Sequence, residues 1–188
     1  MTETANLCKL ESDALLRYRA YLKLLAKIEL DTYLKCQMDA SDLAQQTLHD
    51  AVAHADQFRG KSEGELLSWL RKILANNLVD AVRYAHRDKR NLAITNSLDE
   101  SVVESFQRID LLAQSCSTPS QKAAQNELLL RLPEALEALS EAQREAIVLH
   151  HLQGMKLAET AERMDKSESA VCGLLHRGLK KLHEILGE

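Results

Sequence analysis

Apolar residues recur at intervals of three and four along most of the chain, and short polar breaks interrupt the pattern. From Ser12 to about Tyr33, Leu15, Leu16, Tyr18, Leu22, Leu25, Ala26 and Ile28 keep helical spacing. Asp39 and Ser41 then stand as caps ahead of a second helix, whose inner face carries Leu43, Ala44, Thr47, Leu48, Ala51 and Ala55. Asp42, Gln45, Gln46 and His49 lie on its other side. The stretch RGKSEG, residues 59–64, breaks the period: Gly60 and Gly64 punctuate it, and Ser62 is placed to cap a third helix. That helix runs on to about Arg90, with Leu66, Trp69, Leu70, Ile73, Leu74, Leu78 and Val82 on its inner side.

After Arg90 the pattern weakens. Residues 91–118 are polar, acidic and rich in Ser, Asn and Thr, and read as a flexible linker with a short helix near Val102–Leu112. Thr118-Pro119 opens a second domain, with proline at a first helical position. One or two helices precede Ser140, which with Gln143 has the spacing of a capping box for a helix that ends at Gly154. A short helix covers Leu157 to Met164, Asp165-Lys166-Ser167 makes a turn, and Ser167 caps a last helix. The chain therefore reads as all-α, with two small helical domains at 8–90 and 119–188 joined through 91–118.

Composition agrees with helices: glycine (6) and proline (2) are scarce in 188 residues. No run is apolar enough for a membrane span and no charged-then-apolar leader marks secretion, so a cytoplasmic protein is expected. Cys8, Cys36, Cys116 and Cys172 are far apart and form no C-x-x-C pair, which fits reduced thiols rather than disulfides or zinc. His150 and His151 are neighbours, and neighbours on a helix diverge by about 100°, so they suit one metal poorly. No phosphate loop or nucleophile–base motif is present. The expectation is a protein without enzymatic activity, cofactor or metal.

Net charge is −4, but it is unevenly distributed. Residues 59–90 hold eight Lys and Arg against four Asp and Glu, and residues 166–183 hold four against one, whereas residues 91–145 hold four against nine. Two basic islands flank an acidic stretch. Such islands can neutralise phosphates on nucleic acid while the whole chain stays acidic; solvated helix faces are the other reading.

The second island has the form of a helix-turn-helix: two short helices, a tight turn, and an outer face on the second helix. Ala158 and Ala161 are small enough for close approach, and Leu157, Ala161, Val171 and Leu175 make a small core. With Val171, Leu175, Gly178 and Leu182 inside, Ser169, Gly173, His176, Arg177 and Lys180 face outward.

Two stretches together carry a resemblance. DASDLAQQTLHDAVAHADQFRGKSEGELLSWLRKILANNLVDAVR resembles region 2 of the bacterial sigma-70 family of RNA polymerase sigma factors, in its extracytoplasmic-function (ECF) class. LPEALEALSEAQREAIVLHHLQGMKLAETAERMDKSESAVCGLLHRGLKKL resembles region 4. They cover more than half the chain, in the right order. The resemblance implies a subunit that binds core RNA polymerase, recognises promoter DNA and directs transcription initiation, and that an anti-sigma factor often restrains. Asp42, Gln45, Gln46 and His49 would contact the clamp helices of the largest polymerase subunit. Arg59 and Lys61 would lie in the loop that holds a base flipped from the −10 element, with Asn76, Asn77, Asp80, Arg83 and Arg87 along the following duplex. Lys166, Ser167, Ser169, Gly173, His176, Arg177 and Lys180 would meet the −35 element.

The chain departs from the family's pattern at two places. Many relatives carry Gly-Ile where this chain has Asp165-Lys166, and Lys-Ser-Arg where it has Cys172-Gly173-Leu174. The second departure removes two positive charges from the expected DNA face. A helix-turn-helix regulator that needs no polymerase, and a sigma-like partner-binding protein without promoter activity, are the alternative functions.

Overall fold

Helices form where the apolar period is strongest and stop where a polar side chain can take the place of the next backbone bond. The computed structural model describes residues 12–33, 39–85, 92–116 and 125–187. Helices α1 (Ser12–Leu16), α2 (Arg19–Tyr33), α3 (Ala40–Ala53) and α4 (Glu63–Ala85) precede α5 (Leu92–Ser115). Helices α6 (Gln125–Glu137), α7 (Glu141–Ile147), α8 (Leu157–Arg163) and α9 (Glu168–Leu186) complete the order. The chain divides into two compact units, Met1–Val102 and Val103–Glu188. None of the described helices is long and apolar enough to cross a membrane.

In the first unit α2, α3 and α4 pack on one another. Tyr21, Leu22, Leu25 and Ile28 of α2, Leu43, Ala44 and Ala51 of α3, and Leu70, Leu74 and Leu78 of α4 are buried. Each fully buried leucine contributes about 2 kcal/mol relative to exposure. The first predicted helix is broken at Arg17-Tyr18, and Leu16, expected inside, is 56% exposed. Both residues of the break are held from a distant part of the sequence. Arg17 and Tyr18 both donate to the Glu63 carboxylate at the start of α4, Tyr18 Oη at 3.0 Å. Similarly, Arg71 Nε donates to the hydroxyl of buried Tyr21 at 2.6 Å and joins α4 to α2.

The acidic stretch after Arg90 holds a 24-residue helix, α5, longer than the short helix its weak periodicity implies. Its sparse stripe includes a serine, which blurs the signal: Val102, Ser105, Ile109, Leu112, Ala113 and Cys116 are all buried. The Ser105 hydroxyl accepts from Arg108 Nη2 at 2.8 Å, which makes the polar member of the stripe acceptable. Burial pushes the Cys116 thiol above its ordinary pKa. Cys8, Cys36 and the Thr118-Pro119 opening lie outside the described residues.

In the second unit α9 is the shared partner of α6, α7 and α8. Val171, Leu175, Gly178 and Leu182 are buried in the predicted register, and Leu186 continues the stripe. Gly178 sets the crossing of α7 and α9, because a Cβ there would stand 2.8 Å from Ile147 Cδ1. Side chains finish the helix ends: Lys181 Nζ donates to Ala138 O beyond α6, and Arg131 Nη2 donates to Ile185 O near the end of α9. Both supply donors where helix carbonyls lack partners.

Candidate functional site

Asp39 starts α3 by accepting from Ser41 N at 2.9 Å. That start fixes the rotation of the helix: Leu43, Ala44, Thr47 and Leu48 point inward, and Asp42, Gln45, Gln46 and His49 share the exposed side. Asp50 stands at the edge of this row and is tied on both sides. Its Oδ1 accepts from Gln46 Nε2 at 2.8 Å and its Oδ2 from Asn77 Nδ2 at 2.9 Å. Asn77 also reaches the buried Thr47 hydroxyl at 3.4 Å. The row is thus braced by α4 rather than standing free on a surface helix.

The loop between α3 and α4 is preorganised. Ser62 caps α4 as its spacing implies, and Glu65 completes a reciprocal box: Glu65 N donates to Ser62 Oγ, and Glu65 Oε2 accepts from Ser62 N at 3.0 Å. The same Oε2 accepts from Lys61 N at 2.6 Å and Ser62 Oγ at 3.1 Å. These bonds, led by the one from Lys61, hold the Glu65 carboxyl below its ordinary pKa. Gly60 is where the turn is tightest: a Cβ would stand 2.4 Å from the Phe58 ring and 2.8 Å from Glu65 Cβ. Phe58 in turn stacks on half-buried Trp69, with ring centroids 5.2 Å apart. Arg59 and Lys61 are left exposed on either side of Gly60.

Along α4 the exposed face carries Lys72, Asn76, Asp80 and Arg83, spaced so that each lies about one turn beyond the last. Arg83 Nη1 donates to Asp80 Oδ1 at 3.2 Å. Asn77 does not project with this group; its amide is turned to Asp50 and Thr47 on α3. A shift of one position swings a side chain by about 100°, which separates the two neighbouring asparagines. Arg87 lies outside the described residues.

In the second unit Ser140 N donates to Gln143 Oε1 at 3.2 Å and opens α7. The chain then widens into a π-helical turn, Val148–Leu152, before Gly154 at φ 74°. Arg108 Nε takes the Leu152 carbonyl at 2.9 Å, so a cation from α5 satisfies the acceptor at the end of that turn. His150 Nδ1 lies 2.8 Å from Met155 O, and burial, with a smaller effect from His150, lowers the His151 pKa. Among the described residues no group of three or more His, Cys, Asp or Glu is arranged to hold a metal ion.

Helix α8 ends in a turn in which Asp165 takes the left-handed conformation, φ 51°, and Lys166 N returns to Ala161 O at 2.9 Å. Asp is among the side chains that tolerate this conformation, so the turn forms without glycine. Ser167 Oγ then accepts from Ala170 N at 3.2 Å and starts α9. Ser169, His176, Arg177 and Lys180 are exposed on one side of α9, with Gly173 half-buried among them, and Lys166 is exposed at its start. The interhelical contact is narrower than expected. Thr160 and Ala161 of α8 and Met164 just past it are buried, whereas Ala158 is exposed and Leu157 half-buried.

Two helical units, the second a helix-turn-helix, set the terms for comparison with known proteins. Residues 17–88 match the family model "Sigma-70 region 2" and residues 129–182 match "Sigma-70, region 4". The chain is 30% identical over 172 residues to the ECF RNA polymerase sigma factor SigF of Caulobacter vibrioides, covering 89% of this chain and 84% of that one. The chain belongs to the sigma-70 family. It is an ECF sigma factor: SigX of Bacillus subtilis is 27% identical over 151 residues, 80% of this chain and 72% of its own. SigD of Mycobacterium tuberculosis is 26% identical over 158 residues, 84% of this chain and 68% of its own. No solved structure matches at a significant level. As a sigma factor the protein binds core RNA polymerase and directs promoter recognition in transcription initiation.

Placed on this sigma factor, the region 2 match contains the α3 row, the loop and the exposed face of α4, and the region 4 match contains α8 and nearly all of α9. Asp50, Phe58, Glu65 and Lys72 escaped the reading of sequence alone. Ser62-x-x-Glu65 is a capping-box spacing and was visible in principle. The Asp50–Asn77 and Phe58–Trp69 pairs join residues far apart in sequence, and no local period announces them.

Proposed function

We propose that the sigma factor's α3 row, Asp42, Gln45, Gln46 and His49, docks on the clamp helices of the largest subunit of core RNA polymerase. The observation that carries this is the one exposed face of α3 that the four side chains share, braced from α4 through Asn77 and Asp50. Amides and carboxylates give directional hydrogen bonds, and a braced row loses little conformational entropy on binding. The loop of Arg59, Gly60 and Lys61 holds a base flipped from the −10 element. Its cations offset part of the cost of unstacking, and its fixed backbone lowers the cost of ordering. Asn76, Asp80, Arg83 and Arg87 run along the duplex, Asn76 toward base edges and Arg83 toward phosphate.

In the second unit Lys166, Ser167, Ser169, Gly173, His176, Arg177 and Lys180 face the −35 element. The start of α9 adds backbone N–H groups that favour phosphate. The chain works in the cytoplasm as a specificity subunit, catalyses nothing itself, and is open to restraint by an anti-sigma factor that covers the same faces.

Paired variants separate the two roles. Gln45→Arg with Gln46→Arg lowers affinity for core polymerase at least tenfold with an unchanged melting temperature. Arg83→Glu leaves polymerase binding intact and weakens promoter opening. Equal loss of both activities in Arg83→Glu, or full polymerase affinity in the Gln45→Arg, Gln46→Arg variant, contradicts the assignment.

A further inference from the structure

Glycine inside a helix is unfavourable, because it surrenders more backbone freedom than any other residue. Gly178 of α9 has a reason in Ile147 beside it. Gly173 has a different one. The three atoms nearest to where its Cβ would stand all belong to Arg177: Nη1 at 3.2 Å, Nη2 at 3.6 Å and Cζ at 3.7 Å. Arg177 therefore folds back one turn along its own helix and lays its guanidinium over the bare backbone of Gly173. Its charge is carried toward the N-terminal half of α9, where Cys172, Gly173 and Leu174 supply none.

That placement has chemical consequences. The N-terminal residues of a recognition helix are those that meet base edges in the major groove. A planar guanidinium can take two acceptors on one guanine, an arrangement that depends on its orientation. A methyl group at 173 would stand 3.2 Å from Arg177 Nη1, tighter than ordinary contact, so the guanidinium would have to shift by a few tenths of an ångström and lose its seat on the bare backbone. The obstacle is only the tip of a flexible side chain, so the helix itself would be undisturbed.

We infer that Gly173 is a positioning residue that seats the Arg177 guanidinium for bidentate reading of a guanine edge in the upstream promoter element. The inference rests on the reading of α9 as the helix that meets that element. In this arrangement the missing cations of residues 172–174 are replaced from one turn further along.

The test uses holoenzyme assembled from core polymerase and the full chain. One probe is a promoter selected by the native holoenzyme from a random-sequence library; the other is the same promoter with its upstream element scrambled. Gly173→Ala keeps or raises the melting temperature, because alanine favours the helix and only a flexible side chain stands near the added methyl. It lowers discrimination between the two promoters about tenfold. Arg177→Ala lowers discrimination as well, and adding Gly173→Ala to it has no further effect. If Arg177→Ala leaves discrimination intact, the reading of α9 fails and the inference falls with it. If Arg177→Ala lowers discrimination but Gly173→Ala does not, or if Gly173→Ala costs the same in both backgrounds, the inference alone is overturned.

Discussion

Asn77 Nδ2 donates to Asp50 Oδ2 at 2.9 Å and so fastens α4 to the helix that carries the exposed polar row. Asn76, the preceding residue, is exposed, turned about 100° around the helix from Asn77. Two adjacent asparagines therefore stand in separate settings, one bracing the α3 row and the other exposed on α4.

Asn77→Ala should destabilise the first unit by about 1 kcal/mol, the usual net contribution of such a bond, and leave Asp50 with fewer donors. Polymerase affinity should fall with no change in preference among −10 sequences. Asn76→Ala should do the reverse: unchanged stability and polymerase affinity, with altered −10 preference. Thermal melts together with promoter competition assays read both effects, and altered base preference in Asn77→Ala would contradict the division.

Gly60→Ala forces a methyl group into the Phe58 ring and toward Glu65 Cβ. Part of the strain can relax by moving the Phe58 ring away from Trp69, so the stability cost should be about 1–3 kcal/mol, the range for overpacking. If the loop holds a flipped base as proposed, promoter opening should fall further than the stability loss explains, because the loop is displaced. Tryptophan fluorescence, from the chain's one Trp, reports the movement directly. An unchanged spectrum with full promoter opening would show that the loop tolerates a side chain at 60.

Much of this arrangement was legible in the sequence. The caps at Ser62, Ser140 and Ser167, and the inner stripe of α9, arise from local spacing. Asp165 holds a left-handed turn because its side chain is one of the few that tolerate it. The hidden part is non-local. Nothing near Arg17 says that its partner is Glu63, and nothing near Asn77 says that it faces Asp50. The length of α5 was hidden for another reason: a buried serine interrupts its stripe and reads as linker until Arg108 is seen to satisfy it. The grouping of Asn76 with Asn77 failed because adjacent positions on a helix diverge.

Glu65 makes the loop sensitive to acid. Its folded pKa lies below the ordinary 4.5, led by the hydrogen bond from Lys61 N. A carboxylate with a depressed folded value stabilises the native state fully above its unfolded pKa. That contribution is lost as pH falls through the folded value. Glu65→Gln should therefore melt below the native protein at neutral pH, and the gap should narrow as pH drops beneath about 4.5. A gap that stays constant across that range would show that the carboxylate's charge does not hold the loop.

Gly178→Val should unfold or loosen the second unit, because its branched side chain would begin 2.8 Å from Ile147 Cδ1. Trimming the opposing residue with Ile147→Ala should recover part of the stability, since the two changes share one space. Melting curves of the single and double variants check this; strictly additive losses would mean that the two side chains do not compete.

The most direct measurement of sigma activity is strand opening at a promoter by core RNA polymerase, with and without the purified chain. Core enzyme with the chain should form a stable complex and expose unpaired thymines to permanganate at the −10 element of a selected promoter, and core enzyme alone should not. Failure of the chain to associate with core polymerase would contradict its role as a specificity subunit, as would association that opens no promoter from a random-sequence library.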